Sequence, residues 1–170
     1  MKIIYATKCF FENYINFNGR LSRAGYWWAW LGLMILSLFV CVFDAATDSS
    51  IASSIFGLLI IVPTIAAEVR RFHDVGKSAV TLAIIYLIEI ALTFFITIWS
   101  VFTIFVGASA AVSDLANIMS VLTSMIPLMI GAIAILIVEV YKFIILISKS
   151  DEPNVYGDPE PFFVPEDFHI

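Results

Sequence analysis

The residues best equipped for chemistry sit in one stretch, Arg70-Arg71-Phe72-His73-Asp74-Val75-Gly76-Lys77-Ser78. It lies between two long apolar runs and holds three of the nine basic residues and one of the two histidines. Arg70 and Arg71 carry planar donor forks that match phosphate or carboxylate. Gly76 supplies the positive φ that ends a helix. Lys77 and Ser78 then open the next helix, whose free N–H groups favour an anion. Together with Arg20 and Arg23, these residues form a candidate site for an anion, a lipid headgroup or an acidic segment of the chain itself. The competing reading is topological: basic residues at one end of a membrane helix are what insertion alone requires. His73 and Asp74 invite an acid–base reading, but neighbours in a helix do not face each other. No catalytic residue is assigned.

Glu89 and Glu139 form the second candidate site, because ionisable groups at membrane depth are costly and read as functional by default. The sequence offers Glu89 no evident lysine or arginine in an opposing span. It is therefore read as a protonated carboxyl or as hydrogen-bonded to Tyr86 or Thr93, one turn away. Glu139 has Lys142 at i+3, and Glu68 has Arg71 at i+3, both suited to ion pairing. No CxxC, HExxH, G-x-S-x-G or glycine-rich phosphate loop is present, and two histidines make no ligand set. The expectation is a protein without metal, cofactor or enzymatic activity, and without nucleic acid as a partner.

The elements that must position these residues follow from composition. At 61% hydrophobic and 14% charged, the chain lies outside the soluble range. A helix rises about 1.5 Å per residue across about 30 Å of hydrocarbon, so runs of about twenty apolar residues read as spans. Four can be drawn, at 26–43, 51–69, 80–106 and 118–148. The runs lack the alternating polarity of a barrel, so the expected fold is all-α, a polytopic bundle of four transmembrane helices. Residues 1–25 form an interfacial N-terminal segment, 70–79 a loop and 149–170 an acidic tail, whose final twenty residues hold six Asp and Glu and no Lys or Arg. No small-x-small cleavage site follows a short apolar region, so the first span is expected to stay as a signal anchor. Cys9 and Cys41 lie before the first span and near its far end, too far apart to bridge. All nine cations fall toward one side of this arrangement, while the opposite loops carry Asp44, Asp48 and Asp114 alone. The positive-inside rule then places both termini and the 70–79 loop in the cytoplasm.

Within this frame, Phe10, Tyr14 and Phe17 recur at helical spacing, which predicts a short interfacial helix over 8–17. Asn18-Gly19 is a turn signal, Ser22 a helix cap, and Tyr26, Trp27, Trp28 and Trp30 an aromatic belt. Gly25/Ala29 and Ser53/Gly57 are small-residue pairs that permit close helix approach. Pro63 should kink its helix and free a backbone carbonyl. The tail, and Asn154–Pro159 in particular, is expected to fold back on Arg20, Arg23, Arg70 and Arg71, against the alternative of a solvated tail.

RRFHDVGKS resembles the RRxHDxGxS loop of a family of small bacterial inner-membrane proteins, the YhaH-like proteins or domain of unknown function 805. Phe17-Asn18-Gly19-Arg20-Leu21-Ser22-Arg23 with Tyr26-Trp27-Trp28, and the tail Asn154-Val155-Tyr156-Gly157-Asp158-Pro159, fit the same family in the same order. One departure stands out: the family continues Ser-Gly-Trp where this chain has Ser78-Ala79-Val80. The resemblance implies a multi-pass protein of the bacterial inner membrane and no particular reaction. Two functions fit. One is a non-enzymatic module whose basic face binds anionic lipid or a protein partner, alone or as a homo-oligomer. The other is a small oligomeric transporter or channel using Glu89 and Glu139.

Overall fold

The computed structural model describes residues 2–109, 119 and 122–159. Residues 107–109, where the connection is predicted to begin, are still helix; the rest of that connection to 117, the start of the fourth run at Ile118 and the tail beyond 159 lie outside the described residues. The order is α1 (Lys2–Glu12), α2 (Arg23–Thr47), α3 (Ile51–Asp74), α4 (Ala79–Ser109) and α5 (Ile126–Ile147). The last four supply four segments long and apolar enough to cross a membrane, the fourth running from Leu122 to Ile147. Their outer faces carry large apolar side chains such as Leu58 and Leu87, which are 70% and 66% exposed. A water-soluble protein would bury side chains of this kind at such density; here lipid is their solvent. The all-α membrane architecture is therefore the observed one.

The chain divides into two compact parts, Met1–Leu82 with Ile145–Ile170, and Ala83–Ile144. In the first, α1 packs across α2, and α2 against α3. The contact is close at Gly32, where an added Cβ would lie 1.9 Å from Thr7 Oγ1. Gly25 and Ala29 are buried on the same strip of α2, as the small-residue spacing predicts. Gly57 is different: a Cβ there meets nothing within 4 Å, so the second small pair marks no close approach.

The N-terminal helix is displaced from its predicted place. It spans 2–12 rather than 8–17, because Asn13 turns back on the chain. Both its backbone N–H and its Nδ2 donate to the Cys9 carbonyl, at 3.1 and 2.9 Å, an alternative to further helix that asparagine readily offers. Tyr14 instead reaches α3, donating to the Leu59 carbonyl at 2.5 Å. That carbonyl lies four residues before Pro63, so proline's missing N–H frees it and the tyrosine satisfies it.

The α2–α3 turn is organised by one acid. Asp44, buried in the last turns of α2, accepts from the backbone N–H groups of Ala52 and Ser53 at 3.1 and 2.8 Å. It thereby caps the first turn of α3 from the neighbouring helix. In the second part, α5 approaches α4 at Gly131, where a Cβ would sit 2.8 Å from Ile96 Cγ1. The Trp99 indole N–H donates to the Ser124 carbonyl at 2.7 Å.

Candidate functional site

The helix α3 does not stop at its first charge. It continues through Arg70, Arg71 and His73 to Asp74, and all four are buried. What ends it is the Gly76 turn. Lys77 N–H donates to the Phe72 carbonyl at 2.9 Å and Gly76 N–H to that of His73 at 3.1 Å. This is the 6→1 and 5→2 pattern of a Schellman cap, with Gly76 at φ +69°. Ser78 then caps α4, its Oγ accepting from Thr81 N–H at 3.4 Å. At the departure from the family pattern, Ala79 opens α4 and Val80 points outward, 65% exposed.

Asp74 is the hub of this end. Its Oδ1 accepts from Arg20 Nε at 3.1 Å, and its Oδ2 from Arg71 Nη1 and from Ser150 Oγ, the latter at 2.6 Å. The carboxylate and both guanidinium side chains are at most 1% exposed. The acid paired with Arg71 at i+3 is thus Asp74, on the C-terminal side, while Glu68 is buried one turn before it.

Arg20 carries the tail. Nη1 donates to the carbonyls of Glu152 and Gly157 at 3.1 and 2.8 Å, and Nη2 to those of Asp74 and Asp151 at 3.0 and 2.7 Å. With Nε on Asp74, all five donors of the guanidinium are satisfied. Asp151 N–H returns a bond to the Asp74 carbonyl at 2.8 Å. Asn154 and Gly157 close a tight turn by mutual backbone bonds, and Asn154 Nδ2 donates to the His73 carbonyl at 3.0 Å. The His73 ring donates from Nδ1 to the Gly19 carbonyl at 3.1 Å and stacks on Tyr156 with centroids 3.8 Å apart. The His73 ring is a plate between the 19–20 turn and the tail, with Nδ1 on Gly19 rather than on Asp74.

Arg71 also caps α5: Nε donates to the Leu146 carbonyl at 3.0 Å and Nη2 to that of Ser148. These are carbonyls at the negative end of a helix, where a cation is stabilised. Arg23 makes only a long 3.5 Å contact to the Ile147 carbonyl and is otherwise exposed, as is Lys77.

Arg70 stands apart. It points away from the tail, toward a cavity of about 630 Å3 between α1, the 13–22 segment and the start of α2. Among the described residues, the only hydrogen bond of its side chain is from Nε to the Ala66 carbonyl at 3.3 Å. None of the ion pairs among the described residues includes it, although the residue is only 7% exposed.

Replacing Gly76 with alanine tests the cap. The positive φ costs an L-residue about 1–2 kcal/mol, and the new Cβ would lie 2.6 Å from Asp151 Oδ2. The expected result is a lower unfolding midpoint in detergent together with faster proteolysis between 151 and 159. A variant as protected as the parent would show that the tail is not held through this turn.

Glu89 and Glu139 belong to the second compact part, and there the expectation of an unneutralised Glu89 is corrected. Lys142 Nζ lies 2.9 Å from Glu89 Oε1 and 3.2 Å from Glu139 Oε1, and 5.3 Å from the centre of the Tyr86 ring. Pairing Lys142 with Glu139 along one helix was legible. Its reach to Glu89 depends on how α4 and α5 are registered, which no local spacing reports. Among the described residues, no group of three or more His, Cys, Asp or Glu could hold a metal.

Comparison with known proteins agrees with this framework. Residues 14–158 match the model of a protein family of unknown function, DUF805. The chain is 32% identical over 74 residues to the inner membrane protein YhaH of Escherichia coli K12, and equally to that of strain O157:H7. Each match covers 40% of this chain and 61% of the relative's length. No solved structure matches. The family match spans both ends of the Arg20–Asp74–tail cluster, and with it the membrane helices between: the chain belongs to the DUF805 family.

Proposed function

We propose that the protein is a non-enzymatic inner-membrane module whose basic end, on the cytoplasmic side, binds anionic lipid. The observation that carries this reading is the division of labour among the arginines. Arg20 is saturated by Asp74 and the tail, and Arg71 is bound through all three of its nitrogens to Asp74 and the end of α5. Arg70 is buried with one donor used. Its free donors face a cavity, and a lipid phosphate has the charge and geometry to pair with them. Exposed Arg23 and Lys77 add attraction of about 1 kcal/mol each at an anionic surface.

Native mass spectrometry of the full chain, extracted gently with its lipids, tests the reading. A monomer that retains anionic lipid supports it. A closed oligomer indifferent to lipid charge would sink it and favour a transport pathway through the α4–α5 part.

A further inference from the structure

We infer that the cavity beneath α1 is a headgroup site for a phosphodiester lipid, with the phosphate on Arg70 and an uncharged, hydroxylated headgroup on the asparagines around it. This inference rests on the lipid-binding reading above and assigns it one place. The cavity, at about 630 Å3, falls in the range of small-molecule sites, about 300–1,000 Å3. Its polar lining includes Arg70, Asn13, Asn16, Asn18 and Ser22, and no Asp or Glu. Arg20 also borders it, but that guanidinium is already saturated.

No buried side-chain nitrogen or oxygen lacks a partner among the described residues, so the unpaired N–H groups of Arg70 are open to the cavity rather than sealed in the core. A guanidinium presenting free donors to a concave, carboxylate-free pocket is a receptor for an oxyanion. Asn13 and Asn16 bond Cys9, each other and the Asn18 N–H, and the donor and acceptor capacity these bonds leave, with the Asn18 amide, matches hydroxyl groups. A headgroup amine would instead place a second positive charge near Arg70, with no carboxylate to receive it.

The surroundings favour a lipid over a soluble phosphate ester. Ile4, Phe11, Ile15 and Phe17, in and just after α1, are 47%, 38%, 74% and 40% exposed. Apolar side chains on an interfacial helix bury themselves at the headgroup–acyl boundary, which sets the cavity at the depth of a phosphate. Lys8 and Glu12 pair with each other at 3.7 Å along α1, leaving Arg70 as the charge aimed into the pocket.

The test uses the full chain in detergent micelles, titrated with phosphatidylglycerol or phosphatidylethanolamine and read by native mass spectrometry. Phosphatidylglycerol should be retained over phosphatidylethanolamine. Arg70→Gln should weaken that retention by about tenfold or more, the value of a charged hydrogen-bonded contact, and Arg70→Lys should recover much of it. Asn18→Asp, at an exposed turn position where the exchange suits the backbone, should weaken it too by repelling the phosphate. Asn18→Asp keeps the inference testable if Arg70→Gln fails to fold. Free glycerol phosphate should not compete; displacement of lipid by the free ester at equal concentration would overturn the lipid assignment. Retention unchanged in a folded Arg70→Gln and in Asn18→Asp would overturn this site while leaving the broader reading standing. A wild-type chain that keeps no anionic lipid at all would overturn both.

Discussion

Asp74→Ala should unfold the basic end of the protein. Among the described residues, the substitution removes the only carboxylate in a salt bridge with Arg20 and Arg71, whose side chains are 1% and 0% exposed. Two buried positive charges would remain without the carboxylate that balances them, and the Ser150 hydroxyl would lose its bond to it. Breaking a buried pair by removing one member costs about 3–5 kcal/mol, a large fraction of the stability of an ordinary domain, about 5–15 kcal/mol. Asp74→Asn should be severe as well, because it turns a donor toward Arg71 where an acceptor is needed. Both should lower the unfolding midpoint in detergent and expose 151–159 to protease together, since Arg20 holds the tail through the same carboxylate. The cost should also be sub-additive: adding Arg20→Ala to Asp74→Ala removes one stranded charge, so the double variant should be less unstable than the sum of the singles. Additive losses would mean that Arg20 and Asp74 act independently, against the 3.1 Å geometry.

The membrane spans were legible in the sequence because lipid imposes a composition that local residues must satisfy. Their ends were less so. Hydropathy marks where hydrocarbon stops, and on that measure the second span ends at Val69. Hydrogen bonding marks where the helix stops, and the Gly76 cap carries α3 through Arg70, Arg71 and His73 to Asp74. The glycine's role could be read from its type; the burial of the charges before it could not. The site shows the same limit. Listing Arg20, Arg70 and Arg71 together was possible from charge, but their different roles were not. Four of Arg20's hydrogen bonds go to backbone carbonyls, and a carbonyl has no residue type to betray it. Asp44 reads from the sequence as a loop acid and not as a cap for a related reason: it caps the following helix across a turn rather than its own. For Tyr14 the signal existed, since Pro63 announces a carbonyl in need of a donor, but nothing local says which donor arrives.

The α4–α5 part yields an asymmetric prediction. Lys142 is shared: it bonds Glu89 at 2.9 Å and Glu139 at 3.2 Å. Its side chain and that of Glu89 are 12% and 15% exposed, while Glu139 is 49% exposed. Removing the lysine therefore strands a mostly buried carboxylate and loosens a second one. Removing Glu89 leaves the lysine its other partner. Lys142→Met should cost about 3 kcal/mol or more, and Glu89→Gln roughly 1–2 kcal/mol, the loss of one charged hydrogen bond. The double variant should recover much of the loss, because the one charge left at the contact, Glu139, is 49% exposed and solvated. Unfolding in detergent or nanodiscs reads this order directly. A transport carboxylate behaves differently: Glu89→Gln would abolish flux in reconstituted vesicles even where stability is nearly intact. Mild destabilisation without a measurable ion or proton flux in either form assigns Glu89 to holding α4 against α5. Loss of flux on Glu89→Gln would make the same lysine–carboxylate triad a gate, and the lipid at the basic end its setting rather than its purpose.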